Sequence, residues 1–296
     1  MTSNPFKGLG TALVTPFTRT GELDVDRIAM LAQRQIEGGV DMLVPCGTTG
    51  EAVTLSKDEY SVVVDTVVKT AAGRIPVVAG AGSNSTIKTI ETAALAASLG
   101  ADAVLVVTPY YNKPSQEGVF KHYEALCKEI TIPVIIYNVP GRTGCNMSAD
   151  TQLRIAQLPN VVATKEASGN PAQIMDIMRR RPKGFHILSG DDNLALILIA
   201  AGADGVISTV SNEVPKDYAQ LVHDAMAGRF DSAREIHYKF LELMDANFIE
   251  SNPIPVKSAM ALMGLLEESY RLPMSLPQDS TRNRLRIILS ELGILA

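Results

Sequence analysis

The sequence predicts an α/β protein, a (β/α)8 TIM barrel followed by a C-terminal helical region, and three observations predict it. Short β-branched or apolar runs alternate strictly with helical stretches of about 10 to 15 residues over roughly the first 210 positions. Parallel neighbours need a crossover connection, so this alternation means a parallel sheet. One phrase recurs where a helix hands over to a strand: G-G-V-D-M-L-V from Gly38, L-G-A-D-A-V-L-V from Leu99 and A-G-A-D-G-V-I-S from Ala201. Each supplies a glycine that stops a helix and an aspartate in the turn before an apolar strand. After Ser208 the strand candidates cease. An open doubly wound sheet is the rival, but no G-x-G-x-x-G opens a helix after the first strand, and Gly80 and Gly82 are too few to make one.

The first strand candidate is Gly10 to Thr15, followed by a helical pattern from Asp26 to Gly38. Met42 to Cys46 and Pro76 to Ala79 bracket the helix Lys57 to Ala72, and Ser85 to Leu99 precedes the strand Ala103 to Val107. Ser115 to Lys128 leads to Pro133 to Asn138, and Ser148 to Gln157 leads to Val161 to Lys165. Pro171 to Arg180, His186 to Ser189, Asp192 to Ala201 and Gly205 to Ser208 complete eight strand–helix units. Several helices begin at a serine or aspartate able to cap free N–H groups, and several end at a glycine. Pro215 to Met226, Ser232 to Phe248, Pro255 to Leu266 and Ser280 to Leu292 are all helical. The expected division is a barrel over 1–225 and a helical region over 226–296, packed on it because no flexible linker intervenes.

A net charge of −5 without a long basic cluster argues against a nucleic-acid partner; Arg179, Arg180, Arg181 and Lys183 beside a loop proline suit a solvated helix end. No apolar run approaches the roughly 18 residues that span a bilayer, and the N-terminus has no basic segment followed by a long apolar one, so a soluble, cytoplasmic protein is expected. The three cysteines, Cys46, Cys127 and Cys145, are scattered, which fits a reducing compartment. The four histidines show no metal-ligand spacing, so no metal is expected.

Against this background Lys165, in V-V-A-T-K-E-A-S from Val161, is the misfit. Alternation puts it on one side with Val161 and Ala163, where poor solvation favours a neutral amine that can form an imine with a ketone. The bland alternative is a lysine that snorkels into solvent or pairs with Glu166. In such a barrel the site lies at the C-terminal ends of the strands, and polar residues collect there. G-T-T-G-E, Gly47 to Glu51, offers backbone N–H groups and the hydroxyls of Thr48 and Thr49 to an anion, or is simply a tight turn. Cys46 beside it is a candidate thiol nucleophile, though no histidine lies nearby in sequence. T-P-Y-Y-N-K-P carries Tyr110 and Tyr111, either functional or packing aromatics, and Y-N-V-P-G-R-T-G carries Tyr137 and a proline–glycine turn presenting Arg142. Tyr137 shares a face with Ile135, so its phenol could pass protons to and from an imine on Lys165. The seventh and eighth strands end in S-G-D-D and V-I-S-T. This set points to imine chemistry on a small keto acid.

Those motifs, together with S-N-P-I-P-V-K from Ser251, resemble the dihydrodipicolinate synthase family over essentially the whole chain. That family lies in the superfamily of pyruvate-dependent class I aldolases and lyases that includes N-acetylneuraminate lyase. G-T-T-G-E and the strand-six lysine are superfamily features; Arg142 in G-R-T-G favours the synthases. The resemblance implies condensation of pyruvate with L-aspartate 4-semialdehyde through a Lys165 Schiff base, with no cofactor, giving 4-hydroxy-tetrahydrodipicolinate on the diaminopimelate and lysine pathway. It implies that Tyr137 shuttles protons, Thr48 links it to a Tyr111 that enters a neighbouring subunit's site, Thr49 holds the pyruvate carboxylate and Arg142 that of the semialdehyde. Gly190 and Ile207 would line the site through their carbonyls, in a homotetramer. Family members inhibited by lysine bind it through Asn84, Tyr110 and a carboxylate, but here Lys88 stands at the carboxylate position, and Lys57 and Tyr60 where sensitive enzymes often carry histidines. A cationic Lys88 repels the ammonium, so weak or absent lysine inhibition is expected. A sister enzyme of the superfamily and a non-catalytic keto-acid-binding barrel are the alternatives.

Overall fold

A computed structural model describes residues 5–295 of the chain. In order the elements are β1 (Gly8–Ala12), α1 (Val25–Glu37), β2 (Met42–Val44), α2 (Lys57–Ala71), β3 (Val78–Gly80), α3 (Thr86–Ser98), β4 (Ala103–Val107), α4 (Gln116–Glu129), β5 (Val134–Asn138), α5 (Pro140–Thr143), α6 (Ala149–Ile155), β6 (Val161–Glu166), α7 (Pro171–Arg180), β7 (His186–Ser189), α8 (Ala195–Ala200), β8 (Gly205–Ser208), α9 (Pro215–Met226), α10 (Phe230–Ala246), α11 (Ile254–Leu262) and α12 (Asp279–Glu291). All eight strands run parallel, in the order β2-β1-β8-β7-β6-β5-β4-β3. The ring closes between β2 and β3, where Leu43 bridges to Val77 and the amides of Leu43 and Gly80 donate to the carbonyls of Pro76 and Pro45 at 3.0 and 2.9 Å. At Gly80 that approach leaves no room for a side chain: a Cβ would stand 2.0 Å from the Cys46 carbonyl oxygen.

Serine caps start four of the barrel helices, α2, α3, α4 and α6. The hydroxyls of Ser56, Ser85, Ser115 and Ser148 accept from the amides of Glu59, Lys88, Gly118 and Thr151, and Glu59 reaches back to Ser56 in a full capping box. Each such cap contributes about 1 kcal/mol.

Two cores follow from strand alternation. Met42, Val44, Leu105, Ile135, Ala163, Leu188 and Ile207 fill the barrel interior, while Leu43, Val104, Val106, Ile136, Ile187 and Val206 face outward against the helices. Phe240, Leu243, Leu285 and Leu289 of the C-terminal helices join that outer core, and Val256 and Met260 of α11 close over Val14 and Leu31. Among the described residues no helix is long and apolar enough to cross a membrane.

The structure corrects several expectations. Val161 does not share the inner face with Ala163 and Lys165; it packs in the outer core. The register between β5 and β6 shifts there, pairing Val134 with Val161 but Ile135 with Ala163, so one step of β5 faces two of β6. The first strand ends at Ala12 rather than Thr15, because the Val14 amide turns to the Asn212 side chain and the Thr15 hydroxyl to the Gly50 carbonyl. The turn after β5 is a single helical turn, Pro140–Thr143. The stretch from Asp192 opens as a 3-10 turn over Asp192–Leu194 before α8, and α11 stops at Leu262, ahead of Gly264 at φ 74°.

Candidate active site

At the C-terminal ends of the strands lies a small, partly enclosed cavity. Thr48, Thr49, Tyr137, Arg142, Lys165 and Asn252 line it, with Gly190 and Asp191 beside them. Lys165 and Tyr137 are direct register partners on β6 and β5, and the amine stands 4.7 Å from the centre of the phenol ring. Only 6 % of Lys165 is exposed, so neither snorkelling nor a surface pair describes it. Glu166 is committed elsewhere, accepting from Asn138 at 2.6 Å, Gln152 at 2.7 Å and Ser168 at 2.5 Å. Burial lowers the Lys165 amine to about 8, with the Arg142 charge acting in the same sense and the carboxylates of Asp192 and Asp191 opposing. An amine at that value is partly neutral near pH 8 and nucleophilic.

The phenol of Tyr137 is pushed up by burial, while the Arg142 charge and a hydrogen bond with Thr48 pull it down. Gly190 comes close to the lysine: its amide donates to the Glu166 carbonyl at 2.6 Å, and a Cβ there would stand 3.1 Å from Lys165 Cε and 2.6 Å from Ala167 Cβ. Ile207 is buried in the barrel interior with Ala163 and Leu188; its side chain belongs to the floor, and the neighbouring Thr209 is the β8-end residue that reaches the cavity wall. Cys46 is 2 % exposed, and burial drives its thiol far up, so the thiolate that a nucleophile requires is disfavoured.

Tyr111 does not line the cavity of its own chain. It is 87 % exposed, at φ 73°, with its amide donating to the Thr143 carbonyl at 3.4 Å. Tyr110, Lys88, Lys57 and Tyr60 line a wider cleft that runs from Thr48 and Tyr137 past α2 and α3. Asn84 lies off its lining and accepts at its carbonyl from the Asn112 side chain at 2.9 Å. Tyr60 is buried with its hydroxyl unpartnered among the described residues.

Sequence reasoning missed three carboxylates and an amide. Asp191 lines the cavity, its carboxyl raised to about 6 by burial. Asp192 lies beneath, accepting from the amides of Thr209 and Val210 at 3.0 and 2.9 Å. Glu51, last of G-T-T-G-E, is paired with Lys257 at 2.6 Å, both buried. Asn252 donates from Nδ2 to Thr49 Oγ1 at 2.9 Å and accepts at its carbonyl from Arg142 at 3.3 Å. S-G-D-D was the available signal for the aspartates, but no local pattern brings Asn252 to Thr49 across 203 positions.

Residues 5–292 match the model of the dihydrodipicolinate synthetase family. The chain belongs to that family. The 4-hydroxy-tetrahydrodipicolinate synthase of Koribacter versatilis is 48 % identical over 98 % of this chain and 97 % of its own. Among solved dihydrodipicolinate synthases, that of Thermotoga maritima is 44 % identical, with a TM-score of 0.96 over 99 % of this chain and 100 % of its own. The chloride-inhibited enzyme of Acinetobacter baumannii, solved in complex with pyruvate, is 41 % identical, with a TM-score of 0.96 over 98 % and 99 %. The barrel with its helical C-terminal region is thus the family's fold at full length.

Proposed function

We infer that this chain is a lyase of the synthase type, condensing pyruvate with L-aspartate 4-semialdehyde to give 4-hydroxy-tetrahydrodipicolinate. The observation that carries the reading is the buried, partly neutral amine of Lys165 in register with Tyr137, in a cavity that also holds Arg142 and Thr49. The Lys165 amine adds to the pyruvate ketone and, with loss of water, forms the imine. Loss of a methyl proton gives the enamine, whose carbon attacks the aldehyde. The aldehyde oxygen takes up a proton and becomes the hydroxyl. The substrate's own amine then displaces Lys165 from the imine carbon, closing the ring and freeing the enzyme, so one water leaves per turnover and no cofactor is consumed.

Tyr137 carries protons in these steps, tuned through Thr48 and Arg142. Thr49 and the adjacent backbone hold the pyruvate carboxylate, Gly190 and Ile207 contribute carbonyls, and Arg142 offers the semialdehyde carboxylate two parallel hydrogen bonds. Asn84, Tyr110 and Lys88 form at most a weak lysine site. The unit divides into a catalytic barrel over 1–225 and a helical region over 226–296, acts in the cytoplasm, and assembles as a homotetramer in which Tyr111 completes a neighbour's site.

The test is a condensation assay with both substrates, following the ring product by mass. Arg142→Ala should lower kcat/KM for the semialdehyde about a hundredfold while the KM for pyruvate moves less than threefold. A sister enzyme specific for another aldehyde would give no ring product and leave its own reaction nearly intact in Arg142→Ala.

A further inference from the structure

Asn252 occupies an unusual position. It sits in the segment between α10 and α11, outside the barrel sequence, yet it lines the cavity beside Lys165 and Asp191. Its Nδ2 is spent on Thr49 and its carbonyl on Arg142, so it ties the two carboxylate-holding sides of the cavity together. Its amide oxygen Oδ1 is buried and has no hydrogen-bond partner among the described residues. A buried acceptor left unpaired is costly, and in a substrate cavity that cost is relieved when a ligand brings a donor. The known demands of the reaction name the donor. Pyruvate has no N–H group, but the amino aldehyde has an amine, and that amine must later reach the imine carbon to release Lys165.

We propose that Asn252 is the specificity-determining residue for the second substrate's amino group, its Oδ1 accepting an amine N–H while Arg142 holds the same molecule's carboxylate. Asp191 supplies the negative charge in the same cavity; its carboxyl, at about 6, is ionised at the pH where Lys165 becomes nucleophilic. Pairing Oδ1 with a donor gives the enzyme its discrimination. A site built to hydrogen-bond a substrate group rejects the analogue that lacks it far more strongly than an apolar pocket rejects an extra atom.

This inference rests on the synthase reading above. The test therefore compares aspartate 4-semialdehyde with succinate semialdehyde, which keeps the carboxylate and aldehyde but lacks the amine and cannot close the ring. In the pyruvate-loaded enzyme, Asn252→Leu should lower kcat/KM for the amino aldehyde about 10- to 100-fold, while the inhibition constant of succinate semialdehyde stays within about twofold. Asn252→Asp, which keeps an acceptor oxygen but loses the donor to Thr49, should hold kcat/KM for the amino aldehyde within about threefold. If both aldehydes weaken equally in Asn252→Leu, or neither does, the residue merely positions Thr49 and Arg142 and the proposal is wrong. If Asn252→Asp loses as much as Asn252→Leu, the amide presents its N–H rather than its oxygen, and the proposal is again wrong. Should Asn252→Leu not fold, Asn252→Ala, which also lacks an acceptor, takes its place with the same expected split. Wild-type protein that gives no ring product from aspartate 4-semialdehyde would overturn the synthase reading itself, a result separate from these.

Discussion

Burial at Lys165 opposes the positive charge of its amine, and that opposition has two measurable sides. The folded protein holds the amine at about 8, against the ordinary 10.5. Imine formation with pyruvate should therefore accelerate as pH rises to about 8 and level off above it, because the neutral amine is the nucleophile; single-turnover rates across pH 6 to 10 would check this. Folding stability obeys the same shift. The unfolded chain binds the extra proton between about 8 and 10.5, so stability rises with pH across that window, and the penalty is fully present below it. Lys165→Met should consequently abolish activity but raise Tm at pH 7, by up to about 3 kcal/mol of stability, and raise it much less at pH 10.5. A lower Tm at pH 7 would mean that the ammonium is well solvated or paired in the folded state. The fate of Glu166 is the contrast: its carboxylate accepts from four side-chain donors, three on Oε1 and one on Oε2, and none of them is Lys165.

At the level of elements, the G-T-T-G-E loop depends on the C-terminal region. Glu51, at φ 52°, ends that loop in a buried pair with Lys257 of α11, whose ammonium also sits 4.4 Å from the centre of the Phe17 ring. Lys257→Met alone leaves a buried carboxylate without its cation, and should cost about 3–5 kcal/mol in urea unfolding; adding Glu51→Gln should recover much of that. A single-variant loss below about 1 kcal/mol would show the pair to be dispensable. This pair also marks where sequence reading stops. Strands β4, β7 and β8 and helices α7 and α9 lie where the apolar runs and helix stops put them, because those signals are local. That Lys165, Tyr137, Thr48, Thr49 and Arg142 would gather around one cavity was legible because each stands at the end of a strand or in the loop or helical turn that follows one, and parallel register then brings those ends together. The shift that turns Val161 outward, the 3-10 start at Asp192 and the bridge from Asn252 to Thr49 were not, since each depends on a partner far away in the chain. Two strands end short of the expected limits: β1, which begins earlier at Gly8, stops at Ala12 as the Val14 amide turns to Asn212, and β2 stops at Val44.

For the whole molecule, Tyr111 poses the question of assembly. A tyrosine exposed by 87 % at a positive φ carries a backbone cost of order 1–3 kcal/mol, with little of its side chain buried among the described residues to offset it. A neighbouring subunit whose site receives the ring would supply that compensation. If so, Tyr111→Phe and Lys165→Ala homo-oligomers should each be poorly active, while subunits mixed after dissociation and reassembly should regain about a quarter of wild-type activity, from sites that draw Lys165 and Tyr111 from different parents. No recovery on mixing would place both groups in one chain. All of this presupposes the imine, and the most direct measurement is to incubate the native protein with pyruvate, reduce with borohydride and map the adduct by mass spectrometry. A reduced pyruvate adduct on the peptide carrying Lys165, lost in Lys165→Ala, is the predicted result; an unmodified Lys165 peptide, or an adduct on another lysine, would contradict the account.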